Sequence, residues 1–366
     1  MNASFTRRFA LLSLVSMAAF LATQAQADPL PKRDLLKFSQ LPELAVPLPD
    51  PNGTVTTYHG HDELSTAYGN ILQPGSPVLG YTGRFMADDF ADKLNTPVLH
   101  VKFWGSYLNN FIDPNMQVNK FLISFESDQP ANSANGFSHP DVPLLTQIVT
   151  RGALAPSSGT FTEKPVPGIT SVDGPVYEYN AELNLNNAFP EKADNVYWLK
   201  ITALVDLPVG FSTANPSFDP LNPGASPTKV TQWGWHNRDF TVQDTLASTA
   251  VSPGESIVGL VGNAASPVPV WHFQDDAVAG KVRVNMLPPG TPLNPTIQQQ
   301  SLSATNYVDG LDGPGIAGAT HNISSFSKDL AFELYTNNPV PEPGTCLLLI
   351  SGCVGLALMR RKMSRG

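Results

Sequence analysis

Two pairs of adjacent acids, Asp88-Asp89 and Asp275-Asp276, are the first candidates for chemistry. Neighbouring residues on a strand point to opposite faces, so on a strand neither pair forms a carboxylate clamp. In a loop, aspartates and backbone carbonyls supply the about six to eight oxygens that calcium takes. Structural calcium at these four acids therefore stands beside the plainer reading of solvated loop acids or strand caps. His59-Gly60-His61, followed by Asp62-Glu63, sets two imidazoles on one side of an extended segment. That spacing suits a transition metal, but no third ligand is in view. His236 and His272 each follow a tryptophan and are read as bonding backbone groups. Gly313-Pro314-Gly315-Ile316-Ala317-Gly318 matches GxGxxG only formally, because no strand-to-helix unit surrounds it. The chain has no GxSxG, P-loop, HExxH or CxxC signature. A spatially assembled Ser-His-Asp set or a pair of glycosidase carboxylates leaves no local pattern, so the sequence does not decide against either.

The tryptophans suggest binding instead. Trp104 and Trp198 fall on the polar side of their strands, while Trp233 and Trp235 share a face through their i, i+2 spacing. An exposed row of such rings, with Tyr107 beside it, can stack on sugar rings while neighbouring amides and carboxylates bond hydroxyls. The competing reading is that a loop or second sheet covers these faces, since most large aromatic side chains are buried. The glycines beside Trp104 and Trp233 suggest bulges, which would reverse the parity.

Period-two alternation dominates from about residue 80. Leu99, Val101 and Phe103 oppose His100, Lys102 and Trp104; Phe121, Ile123 and Phe125 oppose Leu122, Ser124 and Glu126. Comparable runs occupy residues 177–185, 197–205, 281–286 and 330–335. Such strands are half-buried and need a partner layer. The expected fold is all-β: an antiparallel, jelly-roll-like sandwich over about residues 55–337, with long loops at 129–143, 155–175, 206–229 and 287–320. Two smaller sandwiches with a break near 207–228 are the alternative. Residues 296–304 suggest one or two helical turns, and the proline-rich stretch 28–54 reads as an extended leader arm.

The two ends carry addresses. Arg7 and Arg8, an apolar stretch over residues 9–22 and Ala25-Gln26-Ala27 follow the plan of a secretory signal peptide, with a mature start near Asp28. At the other end, residues 346–359 form a short apolar run with no polar face, closed by Arg360, Arg361, Lys362 and Arg365. It falls short of the ~20 residues of a comfortable span, and its flanking charges are those of a stop-transfer tail. Both cysteines, Cys346 and Cys353, lie in that run, so the exported body has no disulfide, thiolate zinc site or cysteine nucleophile. Removing both ends takes away basic residues and no acidic ones, so the body is more acidic than the net charge of −9 of the whole chain. An acidic body argues against nucleic acid and anionic lipid as partners.

Val340-Pro341-Glu342-Pro343, the short hydrophobic run and the Arg-Arg-Lys cluster together resemble the PEP-CTERM sorting signal of Gram-negative bacteria. The resemblance implies recognition by an exosortase, removal or exchange of the tail, and a surface or secreted protein that accompanies exopolysaccharide. Until processing, the tail helix holds the chain to the membrane. The order Ala87-Asp88-Asp89-Phe90, Phe103-Trp104-Gly105-Ser106-Tyr107, Phe121-Leu122-Ile123-Ser124-Phe125 with Asp128, Ser138-His139-Pro140, Tyr197-Trp198-Leu199, Trp233-Gly234-Trp235 and Asp275-Asp276-Ala277 resembles an uncharacterised exported domain of environmental bacteria. That resemblance implies no activity. The expected function is noncatalytic binding or structuring of extracellular polysaccharide, without a cofactor other than structural calcium. The alternatives are a carbohydrate-active enzyme using acids such as Glu126 or Asp276, and a purely structural matrix component.

Overall fold

Strands with one apolar face and unpaired backbone groups are stabilised by edge-to-edge pairing and by packing that face away from water. A computed structural model describes residues 35–43, 46–49, 55–58, 60–72, 79–130, 139–171, 173–184, 188–239, 277–285, 296–300 and 329–337. The strands are, in chain order, β1 (Leu35–Gln40), β2 (Val46–Pro49), β3 (Val55–Tyr58), β4 (Asp62–Leu64), β5 (Thr66–Leu72), β6 (Leu79–Phe90), β7 (His100–Tyr107) and β8 (Val118–Gln129). They continue with β9 (His139–Arg151), β10 (Thr160–Ser171), β11 (Gly174–Glu182), β12 (Tyr197–Val205), β13 (Trp233–His236), β14 (Val278–Asn285), β15 (Thr296–Gln300) and β16 (Phe332–Thr336). Among the described residues, helix is confined to short pieces such as α1 (Phe211–Ala214).

Among the described residues, 14 strands form one sheet in the order β1-β16-β7-β11-β10-β9-β8-β12-β5-β6-β14-β15, with β13 joining β4 to β7. β2 and β3 form a separate hairpin. The all-β class holds, but the sheet is mixed: β12 pairs parallel with β5, and β10 pairs parallel with β9 over two residues only. The parallel β5–β12 pair arises because these strands are far apart in sequence and meet through the fold, where no hairpin dictates direction.

Parity places the side chains as alternation requires. Phe103, Phe121, Ile123, Leu199, Ile201, Phe332 and Leu334 share one core, where Phe103 lies 5.1 Å from Phe121 and Phe90 lies 6.3 Å from Phe332. The opposite face is buried too. Trp198, Leu122, Phe85, Val282 and Val284 form a second apolar cluster, so every residue of β12 is buried.

Several segments depart from the sequence expectation. Part of the proline-rich arm is the edge strand β1, antiparallel to β16 with Leu35 opposite Thr336. Its register shifts between Leu36 and Phe38, so Lys37 is a bulge residue. The stretches 129–143 and 155–175, expected as loops for their turn residues, contain parts of β9, β10 and β11. Pro140 and Pro143 lie where the β8–β9 register shifts, on a strand whose other edge pairs β10 over two residues only, and Pro165 and Pro167 lie at and within the gap in the β10–β11 register, so a missing N–H costs little. Residues 296–300 are strand β15, paired with β14, in place of a helical turn. Leu35–Thr336 makes one compact unit.

Candidate functional site

Among the described residues, several groups of charged side chains lie in the interior, Arg238–Asp329 at 3.5 Å and His100–Glu182 at 2.7 Å among them, and one group joins serine, histidine and aspartate. Asp62 opens β4, which pairs with β13, and β13 in turn pairs with β7. That pairing brings Asp62, His236 and Ser106 together although they are far apart in sequence. Asp62 Oδ1 lies 3.0 Å from His236 Nδ1, and its Oδ2 accepts a 2.6 Å hydrogen bond from Ser106 Oγ. Ser106 Oγ is 3.4 Å from Ser171 Oγ, and His236 Nε2 is 3.3 Å from the Glu43 carbonyl oxygen. Burial alone would raise the Asp62 carboxyl; the charge of His236 and the bonds from His236, Ser106 and Ser171 outweigh it and hold the acid below its ordinary range.

The order of these groups decides what they can do. Nucleophilic serine chemistry needs the imidazole between serine and acid, so that it can take the hydroxyl proton. Here the carboxylate stands in the middle, the serine donates to it, and the second imidazole nitrogen faces a backbone carbonyl. Asp62, Ser106 and His236 are all buried. Glycines make the approach possible. A Cβ on Gly105 would lie 2.3 Å from the Gly234 carbonyl oxygen and 2.5 Å from the Trp233 ring, and one on Gly234 would lie 2.8 Å from Asp62 Cβ. The register of β7 with β11 and β13 is continuous, so these glycines serve close approach and not the bulges expected from the sequence.

A second group is the ion pair Lys200–Glu126, 2.6 Å apart with both side chains fully buried. Ser124 Oγ donates to the same Glu126 oxygen at 3.0 Å, and Lys200 Nζ lies 4.1 Å over the Phe85 ring. Burial lowers the Lys200 amine, and Glu126 partly offsets this. A third group is Lys37 with two carboxylates, Asp92 Oδ2 at 3.2 Å and Glu191 Oε2 at 2.9 Å, all three side chains fully buried. Burial pushes Glu191 up to about 9, with Lys37 opposing and Asp92 adding to the rise. Closer to the surface, Arg151 forks onto Glu163 at 3.0 Å while Tyr107 donates to the same carboxylate at 2.7 Å.

The residues expected to stack on sugars are in the core. Trp104, Tyr107, Trp198, Trp233 and Trp235 are each at most 4% exposed. The parity placing Trp104 and Trp198 opposite the main aliphatic face is right, but that face is covered. Trp104 packs with Val176 and Ala331 beneath Val166 and Ile169 of β10, and Trp198 donates to Asp128 Oδ1 at 2.9 Å. Trp233 lies 4.9 Å from Phe121, and Trp235 Nε1 donates to the Ala331 carbonyl. Asp88 and Asp89 are buried on opposite faces of β6, not on a loop, and Asp88 Oδ2 accepts from Leu330 N–H at 2.7 Å. Among the described residues no group of three or more His, Cys, Asp or Glu could hold a metal ion. His61 is buried, 3.2 Å from Glu63. Asp275, Asp276, His59, residues 1–27 and the tail with Pro341, Glu342, Pro343, Arg360 and Arg361 lie outside the described residues.

Lys37, Asp92 and Glu191 carry no motif. The one trace in the sequence is a lysine inside the apolar run of β1, LLKFSQ, and the bulge that turns it inward cannot be read from alternation. The fold and these groups define an all-β protein with several ionisable side chains buried inside the sheet. The chain belongs to a family described as a domain of unknown function (DUF7901), which matches residues 36–269. Neither comparison with curated proteins nor comparison with solved structures gives a match.

Proposed function

We propose that this is an exported, noncatalytic β protein of a Gram-negative cell surface or extracellular matrix, sorted by an exosortase-type protease and serving as a scaffold that structures extracellular polysaccharide. The observation that carries this reading is the pairing of a secretory signal with a tail of Pro341-Glu342-Pro343, a short apolar run and Arg360-Arg361-Lys362. The interior is in keeping with a scaffold. The rings that would stack on sugars are enclosed, and in the Ser-His-Asp group the serine hydroxyl donates to the Asp62 carboxylate and not to the imidazole. These features favour the purely structural form of the reading over an aromatic binding row. The architecture that goes with it is a jelly-roll-like sandwich, supported by rings from distant parts of the strand order meeting in one core.

Expression of the full chain in an exosortase-bearing host tests the sorting. The surface fraction should contain a protein starting near Asp28 and lacking the apolar tail, and replacing Pro341-Glu342-Pro343 by alanines should leave the tail in place. A cytoplasmic protein with both ends intact would refute the reading. Affinity electrophoresis of that surface protein on a polysaccharide panel, with reducing-sugar release, tests the role. Sugar release would establish an enzyme and overturn the scaffold.

A further inference from the structure

Lys37 is placed in a way that an ion pair does not require. It is the extra residue of the β1 bulge, and both Lys37 and the next residue, Phe38, are buried. A bulge next to a reactive group is a common means of aiming it. What Lys37 meets is built from two loops fastened together: Val98 bridges Phe189, and Asp194 N–H donates to the Asp92 carbonyl at 2.8 Å. One loop supplies Asp92 and the other Glu191. The Lys37 ammonium donates to the Thr96 carbonyl, which fixes the direction of Nζ. Asp92 Oδ1 accepts a 2.7 Å bond from Leu94 N–H, leaving Oδ2 turned toward Nζ at 3.2 Å.

We propose that Lys37 Nζ condenses with the Asp92 side-chain carboxyl to form an intramolecular isopeptide bond, with Glu191 as the acid–base group that carries the protons. Passing one proton from the ammonium to the Asp92 carboxylate leaves an amine and an acid, the neutral forms that a water-free interior favours. The nitrogen lone pair attacks Cγ, and the charge that develops on Oδ1 is met by Leu94 N–H, a donor already in place. Glu191, 2.9 Å from Nζ, gives its proton to Oδ2 and takes one from the nitrogen in exchange, so it ends as it began. Oδ2 departs as water and the C–N bond becomes an amide, so one amine and one acid give one amide and one water. No oxidant, reductant or activated donor is needed. Holding amine and carboxyl in contact replaces an encounter in solution, and the dry site opposes hydrolysis. Glu191 is poised as an acid: burial keeps it protonated well above the pH at which a free carboxyl ionises. Lys200 offers a contrast, since among the described residues it pairs with one carboxylate, Glu126, where Lys37 meets two. With both cysteines confined to the tail, such a bond would be a covalent staple open to an exported body that forms no disulfide.

Intact-mass measurement on the soluble, protease-resistant full chain decides the matter. The expected mass is one water below that of the sequence, or of the processed sequence once both termini are mapped. Digestion should yield a branched peptide joining the Lys37 and Asp92 segments. Full sequence mass from the folded protein would overturn the proposal, and so would a water loss that maps elsewhere, for instance to Lys200 and Glu126. Lys37→Arg and Asp92→Ala should abolish the branched peptide. Glu191→Gln, which leaves both reacting groups in place, should also give full mass; a branched peptide in that variant would overturn the role assigned to Glu191.

Discussion

The Lys200–Glu126 pair permits a prediction that separates the value of a contact from the cost of breaking it. Both side chains are fully buried, Nζ and Oε1 are 2.6 Å apart, and Ser124 supplies one further hydrogen bond. Glu126→Gln keeps the shape but leaves an ammonium beside an amide and the Phe85 ring. Lys200→Met leaves a buried carboxylate without its charged partner. Removing one partner of a buried pair costs about 3–5 kcal/mol, because the other charge remains desolvated. Replacing both with neutral groups removes that penalty, so Lys200→Met/Glu126→Gln should lie within about 1 kcal/mol of the parent. The coupling in the double-mutant cycle should then be several kcal/mol. Urea unfolding, followed by tryptophan fluorescence at constant m-value, reads it. Single variants costing under about 1 kcal/mol, or costs that add in the double variant, would refute the reasoning. A pH arm adds a sign. Folding lowers the Lys200 pKa below its ordinary 10.5, so the unfolded chain binds more protons at this site. Its contribution to stability therefore rises with pH toward 10.5, and Lys200→Met should lose that rise.

Four more outcomes are expected. Glu191 is raised from 4.5 to about 9 on folding, so its contribution is complete below pH 4.5 and is lost as pH rises through 9. Glu191→Gln should flatten the decline in stability between those values by up to about 1.4 kcal/mol per pH unit. Asp62 is lowered from 3.8, so its contribution is present above that pH and lost on acidification. Asp62→Asn should cost about 3 kcal/mol at neutral pH and make unfolding less acid-dependent, as seen in urea midpoints across pH. Gly105→Ala places a Cβ 2.3 Å from the Gly234 carbonyl and should lower stability by about 1–3 kcal/mol or more, read as the thermal midpoint. Trp104→Ala should cost about 3–5 kcal/mol in denaturant unfolding while leaving migration in polysaccharide gels unchanged.

Alternation made much of the sheet legible. Along Tyr197–Val205 it assigned Leu199 and Ile201 to one face and Trp198 and Lys200 to the other, as found. It could not show that both faces are covered, because a strand buried twice and a strand with one wet face differ only in what packs on them. For that reason Trp104 and Trp198 looked available for binding and are not. Prolines hid β9 and β10, since they fall where the register shifts or one edge is unpaired, and such places tolerate them. The interior clusters were opaque for another reason. Asp62 and His236 meet because β4 and β13 pair, and no local spacing encodes a pairing between strands so far apart.

The seam between β1 and β16 has a mechanical consequence. The chain joins the sheet at Leu35 and leaves it at Thr336, directly opposite one another. A tension applied through the two ends would peel this antiparallel pair open one ladder bond at a time instead of shearing all its bonds together, the weak direction for a zipper. The contacts that resist peeling lie just inside its mouth: Lys37 held by Asp92 and Glu191, and Ser39 Oγ donating to Glu333 at 3.2 Å. The lifetime of the folded protein under load is set by how fast that first opening occurs. A covalent tie at Lys37 would move the point of failure from the edge of the sheet to its interior.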